Sequence, residues 1–360
     1  MEYYIGCDVH KKYSVFAAVD EAGRARPAKR VEHDREGFRA FLASLPPGSP
    51  IAVETTGNWY WIVDEMERAG HFPALAHAAK SKLMMGQINK TDKLDANGLA
   101  VLLRNGTLPS VWIPQGELRD QRELPRMRLV LVHMRTALKN RIHATFAKYG
   151  IQFEGQSDLF GTSGRKHMSD RLGELPTETR HSVEQELKLL DQLAEQIDLT
   201  EKRTRQVIAV SPAMKLLMSL PVVGPVLAIT IALEVGDVGR FPDAQHLASY
   251  SGTVPRVNSS GGKTRFGRTR PDVNHYLKRA FVEAANVVVL NQARMPGSHA
   301  VRLYHRVKAN KGHGKAVVAI ARHLAESTYW LLKKNEPYKE PVSPKQGWAR
   351  GSHESERLVH

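Results

Sequence analysis

The sequence predicts an α/β layer over residues 1–112, a basic helical hairpin or coiled-coil linker over 113–212, and a mostly helical part over 213–334. Two observations carry that division. Short apolar runs alternate with helix-spaced segments at the start of the chain, the pattern of a sheet covered by helices. Further on, two long stretches repeat apolar residues every three or four positions, the pattern of core-facing helices. A length of 360 residues is also enough for about two cores.

The elements follow in order. YYIGCDV (3–9) and YSVFAAVD (13–20) read as strands, and ARPAKRVEH (25–33) as a third, more exposed one. REGFRAFLASL (35–45) has helical spacing, and PIAVE (50–54) is a buried-strand run. WYWIVDEMERAG (59–70) is a helix ended by Gly70, HFPALAH (71–77) is strand-like, and another helix begins near Thr91. Residues 117–149 are helical, with Met127, Leu131, Met134, Leu138 and Ile142 as a core-facing seam. From Arg119 to Lys148 eight Lys or Arg face two acids. Pro125 is expected to kink this helix or to mark its start. Residues 151–177 are Gly- and Ser-rich and read as a loop or tip. Val183, Leu187, Leu190, Ala194 and Ile197 form a second seam, so the two helices are expected as an antiparallel hairpin or a dimerising coiled coil. From Asn335 to residue 360, three prolines and a polar run predict a disordered tail.

Hydrophobic content of 42% and charged content of 25% are ordinary for a soluble chain, but a net charge of +15 is not. Such an excess calls for a polyanionic partner, nucleic acid or an acidic membrane surface. The longest apolar stretch, around VLAITIALEV, is half what a spanning helix needs, so nucleic acid is the better reading and no membrane partner is expected. MEYYIGCDV runs straight into a strand without a secretory pattern, which predicts a cytoplasmic chain. The single cysteine, Cys7, excludes an intramolecular disulfide and a CxxC zinc site. There is no HExxH, P-loop or GxGxxG, so no nucleotide cofactor is indicated. Trp59 and Trp61 read as core rather than as a base-stacking platform.

Four carboxylates stand out. Asp8 lies within a strand among apolar residues, where a lone charge is expensive. Glu54 ends the strand IAVE, and strand ends are where α/β sheets build sites. Asp92 and Asp95 share one helix face by their spacing. Asp92 as N-cap with Asp95 at the third helical position explains that pair equally well, so alone it leaves capping and metal binding open. Four converging carboxylates would repel and raise one another's pKa. One or two divalent cations resolve this, and oxygen ligands suit Mg²⁺ or Mn²⁺. Two such ions about 4 Å apart would clamp a scissile phosphate.

A second block, NSSGGKTRFGRTR (258–270), sets two serines beside paired glycines and four basic residues. Glycines let backbone approach a phosphate closely, although alone the block also reads as a solvated basic loop. LPVVGPVLA (220–228) has the look of a helix–hairpin–helix turn that grips phosphate, and equally of a structural turn.

GCDVHKKYSVFAAVDEAG (6–23), AVETTGNWYW (52–61) and KTDKLDANGLA (90–100), in that order and spacing, resemble the acid-tetrad (Asp-Glu-Asp-Asp) transposases of bacterial insertion sequences, of the insertion-sequence-110 type. The resemblance continues through LKNRIHATFAKYG (138–150), LPVVGPVLAITIALEVGDVGRF (220–241) and ASYSGTVPRVNSSGGKTRFGRTR (248–270), and so covers most of the chain. Pro125 and Thr253 depart from the family pattern without touching the acids or the serine. The resemblance implies an N-terminal domain similar to the Holliday-junction resolvase RuvC, with a ribonuclease-H-like fold. It implies Asp8, Glu54, Asp92 and Asp95 as the catalytic, metal-holding tetrad. It implies Ser260 as a nucleophile that joins DNA covalently, with Ser259 the adjacent alternative. A structured non-coding guide RNA is implied as partner, and a homo-oligomer, dimer or tetramer, is expected.

Nucleic-acid contacts are expected from Arg126, Arg128, Arg135, Lys139 and Arg141 on the first long helix. Around the serine block they are expected from Arg256, Lys263, Arg265, Arg268 and Arg270, and beyond it from Lys278 and Arg279. Two rivals stand beside the transposase. One is a metal-dependent Holliday-junction-type endonuclease that uses water. The other is a non-catalytic nucleic-acid binder with degenerate acids.

Overall fold

The structure, a computed structural model, describes residues 3–86, 91–156 and 158–341. It divides into two compact units, Met1–Gly116 and Glu117–His360.

In the first unit the described elements are β1 (Tyr3–Val9), β2 (Tyr13–Asp20), β3 (Lys29–Glu32), α1 (Arg35–Ala43), β4 (Pro50–Glu54), α2 (Trp59–Arg68), β5 (Phe72–Ala76), α3 (Ala78–Met85), α4 (Asp92–Arg104) and β6 (Ser110–Val111). They form one mixed sheet in the order β3-β2-β1-β4-β5-β6. β1 pairs antiparallel with β2 and parallel with β4. The third strand is shorter than the sequence predicts, and α3 and β6 are additions to it.

Alternation along β1 sorts its side chains between two layers. Ile5, Cys7 and Val9 join Phe38, Phe41 and Leu42 of α1 and Ile62 and Met66 of α2 in one core. Gly6 and Asp8 fall on the opposite face. There α4 lies directly over the strand, because a Cβ at Gly6 would sit 1.9 Å from the Ala96 carbonyl oxygen and 2.7 Å from the Ala100 amide nitrogen. Small buried residues, Ala17, Ala52, Ala76, Ala96 and Ala100, line this layer. On the far side Glu65 of α2 is buried and takes hydrogen bonds from Arg39 and Arg35 at 2.7 Å and Arg68 at 2.9 Å. Arg39 first, and then the other guanidiniums, hold its carboxyl down at about 2 against the opposing effect of burial.

The second unit contains α5 (Gly116–Lys148), α6 (Thr162–Arg171), α7 (Thr177–Val207), α8 (Pro212–Leu217), α9 (Pro225–Val235), α10 (Ala244–Tyr250), β7 (Pro255–Ser260), β8 (Lys263–Thr269), α11 (His275–Leu290), α12 (His299–Lys311) and α13 (His313–Lys334). Its core is built on α9, α11 and α13. Helix α5 starts at Gly116 and runs through Pro125, so the proline does not mark its start.

Of the first seam, Ile142 is buried, but Met127 and Met134 are 48% and 51% exposed. The first half of α5 turns a different stripe inward, Arg122, Pro125 and Leu129, because Arg122 and Arg126 are drawn to the C-terminal end of α9. In the second seam Val183, Leu190 and Ile197 are buried, with Leu193 rather than Ala194 beside them. Residues 151–177, expected as a loop, carry α6 and a small core in which Ile142, Phe146, Leu159, Met168, Leu175 and Val183 meet.

The start of the expected disordered tail is also packed. The Tyr338 amide donates to Ser219 Oγ at 2.7 Å, and its ring joins the helical core. The rest of that tail, 342–360, lies outside the described residues. Among the described residues no helix is long and apolar enough to cross a membrane.

At the centre of the second unit Glu234 is fully buried. Arg126 meets its carboxylate at 2.7 and 3.1 Å, and Asn274 Nδ2 donates to it at 2.7 Å. Arg122 donates to the carbonyls of Leu233 and Glu234 at 2.8 and 3.0 Å, and Arg240 to that of Val235 at 2.9 Å. These guanidiniums satisfy the last carbonyls of α9 and meet the negative end of its dipole. The buried Thr253 satisfies its hydroxyl on the Ala248 carbonyl at 3.0 Å.

Gly6→Ala tests the contact between α4 and β1. The added methyl meets backbone on two sides, so relief requires moving a helix. Chemical denaturation should show a loss of about 3 kcal/mol, at the upper end of overpacking costs.

Candidate functional site

Asp8 is 5% exposed near the end of β1. Cys7 pairs with Val53 across the parallel ladder, so Glu54 is the next residue along the neighbouring strand. Helix α4 is capped by Thr91, whose side chain accepts from the Leu94 amide at 3.3 Å. Asp92 is therefore the first helical residue and Asp95 the fourth, and the capping assigned to Asp92 as an alternative falls to Thr91. Both carboxylates remain in the favourable field of the helix N-terminus.

The layer geometry brings the acids together. Burial lifts the Asp8 carboxyl above the usual carboxylate range, His10 opposes this, and Asp95 and Asp92 push it further up. The tightest group of potential ligands among the described residues is not the tetrad but Asp8, His10 and Asp92, with one atom of each within 4.8 Å of the others. His10 Nε2 lies 3.1 Å from Asp8 Oδ2 and 3.2 Å from Asp92 Oδ2. Asp95 is close enough to act on Asp8, and Glu54 stands beside it on β4 without joining the tightest group. Buried carboxylates that repel one another, with an imidazole nitrogen drawn between two of them, form a donor set suited to a divalent cation.

Two residues of this site are absent from the sequence reading. His10 follows Asp8 by two positions in the turn after β1, and Asn58 Nδ2 fixes its carbonyl at 2.9 Å. Tyr13 opens β2. Its hydroxyl donates to Asp92 Oδ2 at 3.0 Å, its ring stacks on His10 at 4.5 Å, and Arg30 lies 3.6 Å over that ring. The signal was the run HKKY immediately after the first acidic strand.

The serine block, which alone also reads as a solvated basic loop, forms a β-hairpin. Ser260 pairs with Lys263, and Gly261 and Gly262 make the two-residue turn with φ of 56° and 75°. Positive φ at both positions is the primed hairpin turn, which explains the paired glycines. Ser260 is exposed at the tip, and Arg256, Lys263, Arg265 and Arg268 are exposed along the two strands.

Other basic residues expected on nucleic acid have intramolecular work. Arg126 holds Glu234, and Arg128 pairs with Glu201 at 2.8 Å and Glu283 at 3.4 Å. Arg141 pairs with Glu186, and Lys139 lies 4.7 Å over the Phe160 ring. Arg270 binds Asp272, Lys278 donates to Thr269 Oγ1 at 2.7 Å, and Arg279 donates to the Leu129 carbonyl at 3.1 Å. The stretch 220–228, open to a phosphate-gripping or a structural reading, completes the connection from α8 and starts α9, with Val222 at a φ of 61°.

With this geometry in place, comparison with known proteins defines the class. Residues 5–151 match a transposase family of the DEDD type, and residues 214–300 match the transposase IS116/IS110/IS902 family. The chain belongs to the IS110-type bacterial transposases. It is 24% identical to the transposase for insertion sequence element IS1111A of Coxiella burnetii, over 93% of this chain and 91% of that one. It is 23% identical to the transposase for insertion sequence element IS1328 of Yersinia enterocolitica, over 79% and 83% of the two chains. It is also 23% identical to the pilin gene-inverting protein of Moraxella bovis, over 81% and 82%. Membership implies DNA binding, DNA transposase or recombinase activity, and use of a divalent metal.

Tyr13→Phe removes the hydroxyl on Asp92 and leaves the ring stack. Calorimetry should show Mn²⁺ binding weakened roughly tenfold, as for other outer-shell partners, with little change in melting temperature. Unchanged affinity would deny Tyr13 a positioning role.

Proposed function

We propose that this protein moves its own insertion sequence by metal-assisted DNA strand cleavage and exchange through a serine-linked intermediate. The observation that carries the reading is the convergence of Asp8 and Asp92, from elements far apart in sequence, onto one polar cluster. In this reading residues 1–112 are a RuvC-like, ribonuclease-H-like catalytic domain. The mixed sheet, with acids on adjacent central strands and on the helix above them, supports that fold. Residues 113–212 are the coiled-coil linker and 213–334 the transposase domain that presents Ser260.

Asp8, Glu54, Asp92 and Asp95 would hold Mg²⁺ or Mn²⁺, with His10 close enough to ligate or to be displaced. A bound divalent ion supplies neutralisation of the scissile phosphate and a lower barrier to attack on it. Ser260 Oγ forms a bond to phosphorus, the bond to one strand breaks, and the departing hydroxyl takes up a proton as the serine loses one. Attack by a hydroxyl of the incoming strand reverses these changes, so the number of phosphodiesters is conserved without an external energy source. Exposed Arg256, Lys263, Arg265 and Arg268 neutralise phosphates around the hairpin. A structured non-coding RNA guides the choice of DNA, the protein works as a homo-oligomer, and the chemistry requires the carboxylates and Ser260 to act on the same phosphate.

One observation favours a second reading. The acidic cluster lies wholly within the first unit and is assembled without Ser260. That is what a junction endonuclease using water would need.

Trapping separates the two. With the element's DNA, the flanking transcript and Mg²⁺, protein-linked DNA should survive denaturation and vanish on protease treatment. Ser260→Ala should lose the adduct and Ser259→Ala should keep it. Asp8→Asn and Asp92→Asn should abolish cleavage while DNA binding persists, and chelation should do the same. Cleavage by Ser260→Ala with no adduct at any stage would establish the water-using reading.

A further inference from the structure

We propose that Leu83 and Met84 of α3 form an apolar wedge that enters DNA beside the phosphate being cut and opens base pairs there. This rests on the strand-cutting reading above. Helix α3 is inverted with respect to water: its buried residue is Ser81, while Leu83 is 82% and Met84 50% exposed. A single exposed leucine is ordinary. An adjacent leucine and methionine on a helix that buries a serine instead is the composition of a surface built for a partner. Leu94, in the first turn of α4, is a further exposed apolar residue.

The helix is anchored at the acidic site. It starts where β5 ends, and Ala76 of β5 pairs with Glu54. The Ala78 amide donates to Thr55 Oγ1, one residue past Glu54, at 3.3 Å, and His77 caps the first turn. After Gly86, with φ of 58°, the chain leads to Thr91 and Asp92. The N-terminal end of α3 thus lies beside the strand carrying Glu54, at the rim where a scissile strand would run.

Charge selects the occupant. Lys80 and Lys82, on the same helix as the apolar pair, are exposed, as is Lys93 in the first turn of α4. A phosphate backbone meets them favourably. A second copy of this chain, with its own net charge of +15, meets them with charge of the same sign. Leucine and methionine are also side chains that wedge between base steps and unstack them.

The test uses the full chain with its flanking transcript and a duplex carrying the element's end, with 2-aminopurine beside the cut. Binding by the wild-type chain should brighten the probe severalfold. Leu83→Ala/Met84→Ala should abolish most of that rise and slow cleavage of paired DNA at least tenfold. Mismatching the bases beside the cut should recover most of the loss. Phe72→Ala, an exposed aromatic on β5, should change neither signal. A dark probe with wild type, or a double variant as fast as wild type on paired DNA, overturns the wedge. So does a double variant whose main defect, by light scattering, is a lost oligomer. A wild-type chain that cuts neither paired nor mismatched DNA overturns the strand-cutting reading, and the wedge with it.

Discussion

Where β1 carries no side chain at Gly6, the backbone of α4 sits against the sheet, and this contact sets Asp92 and Asp95 over the face of β1 that carries Asp8. A helix held this close cannot slide or lift without opening a gap in a densely packed layer. Asp8, two residues along the same face of β1, is thereby buried beneath the first turn of α4. Its burial is unfavourable, and two neighbouring carboxylates make it more so. His10 offsets part of that cost, bridging Asp8 and Asp92. Tyr13 and Asn58 then fix the bridge from the adjacent strand and loop. The site is a strained collection of like charges, held in register by packing that lies outside it.

The second unit uses charge in the opposite way. Glu234 is a single buried acid saturated by cationic and amide donors. Beside it, Arg122 and Arg240 close the C-terminal end of α9. Removing one partner there would leave a buried charge uncompensated, and such losses are large. Arg126 therefore belongs to the fold before it belongs to any nucleic acid, and the net positive charge of the chain is not all available at its surface. The β7–β8 hairpin around Ser260 keeps four basic side chains exposed, Arg256, Lys263, Arg265 and Arg268. A two-stranded hairpin of this kind has little stability of its own, and Val257 opposite Phe266 leaves apolar surface open on it.

The sheet of the first unit was legible because its strands are short apolar runs bounded by charge. Asp8 stands out in the sequence because a mid-strand carboxylate needs a reason, whereas Glu54 also reads as a strand end and Asp92 with Asp95 as a helix cap, and these gain meaning only as a set of four. His10 and Tyr13 were not legible, since a histidine and a tyrosine after a strand carry no periodic signal and matter only once the strand is placed under a helix. The exposed side of α5 was misread for a physical reason. A seam of apolar residues indicates a helix, but in its first half Arg122 and Arg126 turned a different face inward. Likewise the residues from 151 to 177 look polar in composition, yet Leu159, Met168 and Leu175 suffice for a small core. The paired glycines were legible as a special backbone, and the structure gives that backbone as a primed hairpin turn.

The most direct measurement is the anomalous scattering of Mn²⁺ in crystals of the protein. Density is expected at coordination distance, roughly 2.1 Å, from carboxylate oxygens of both Asp8 and Asp92. In that state His10 Nε2 should either join the ligands or leave the position it holds between them. Mn²⁺ bound only elsewhere, with His10 still bridging the two aspartates, would contradict the assignment of this cluster as the metal site.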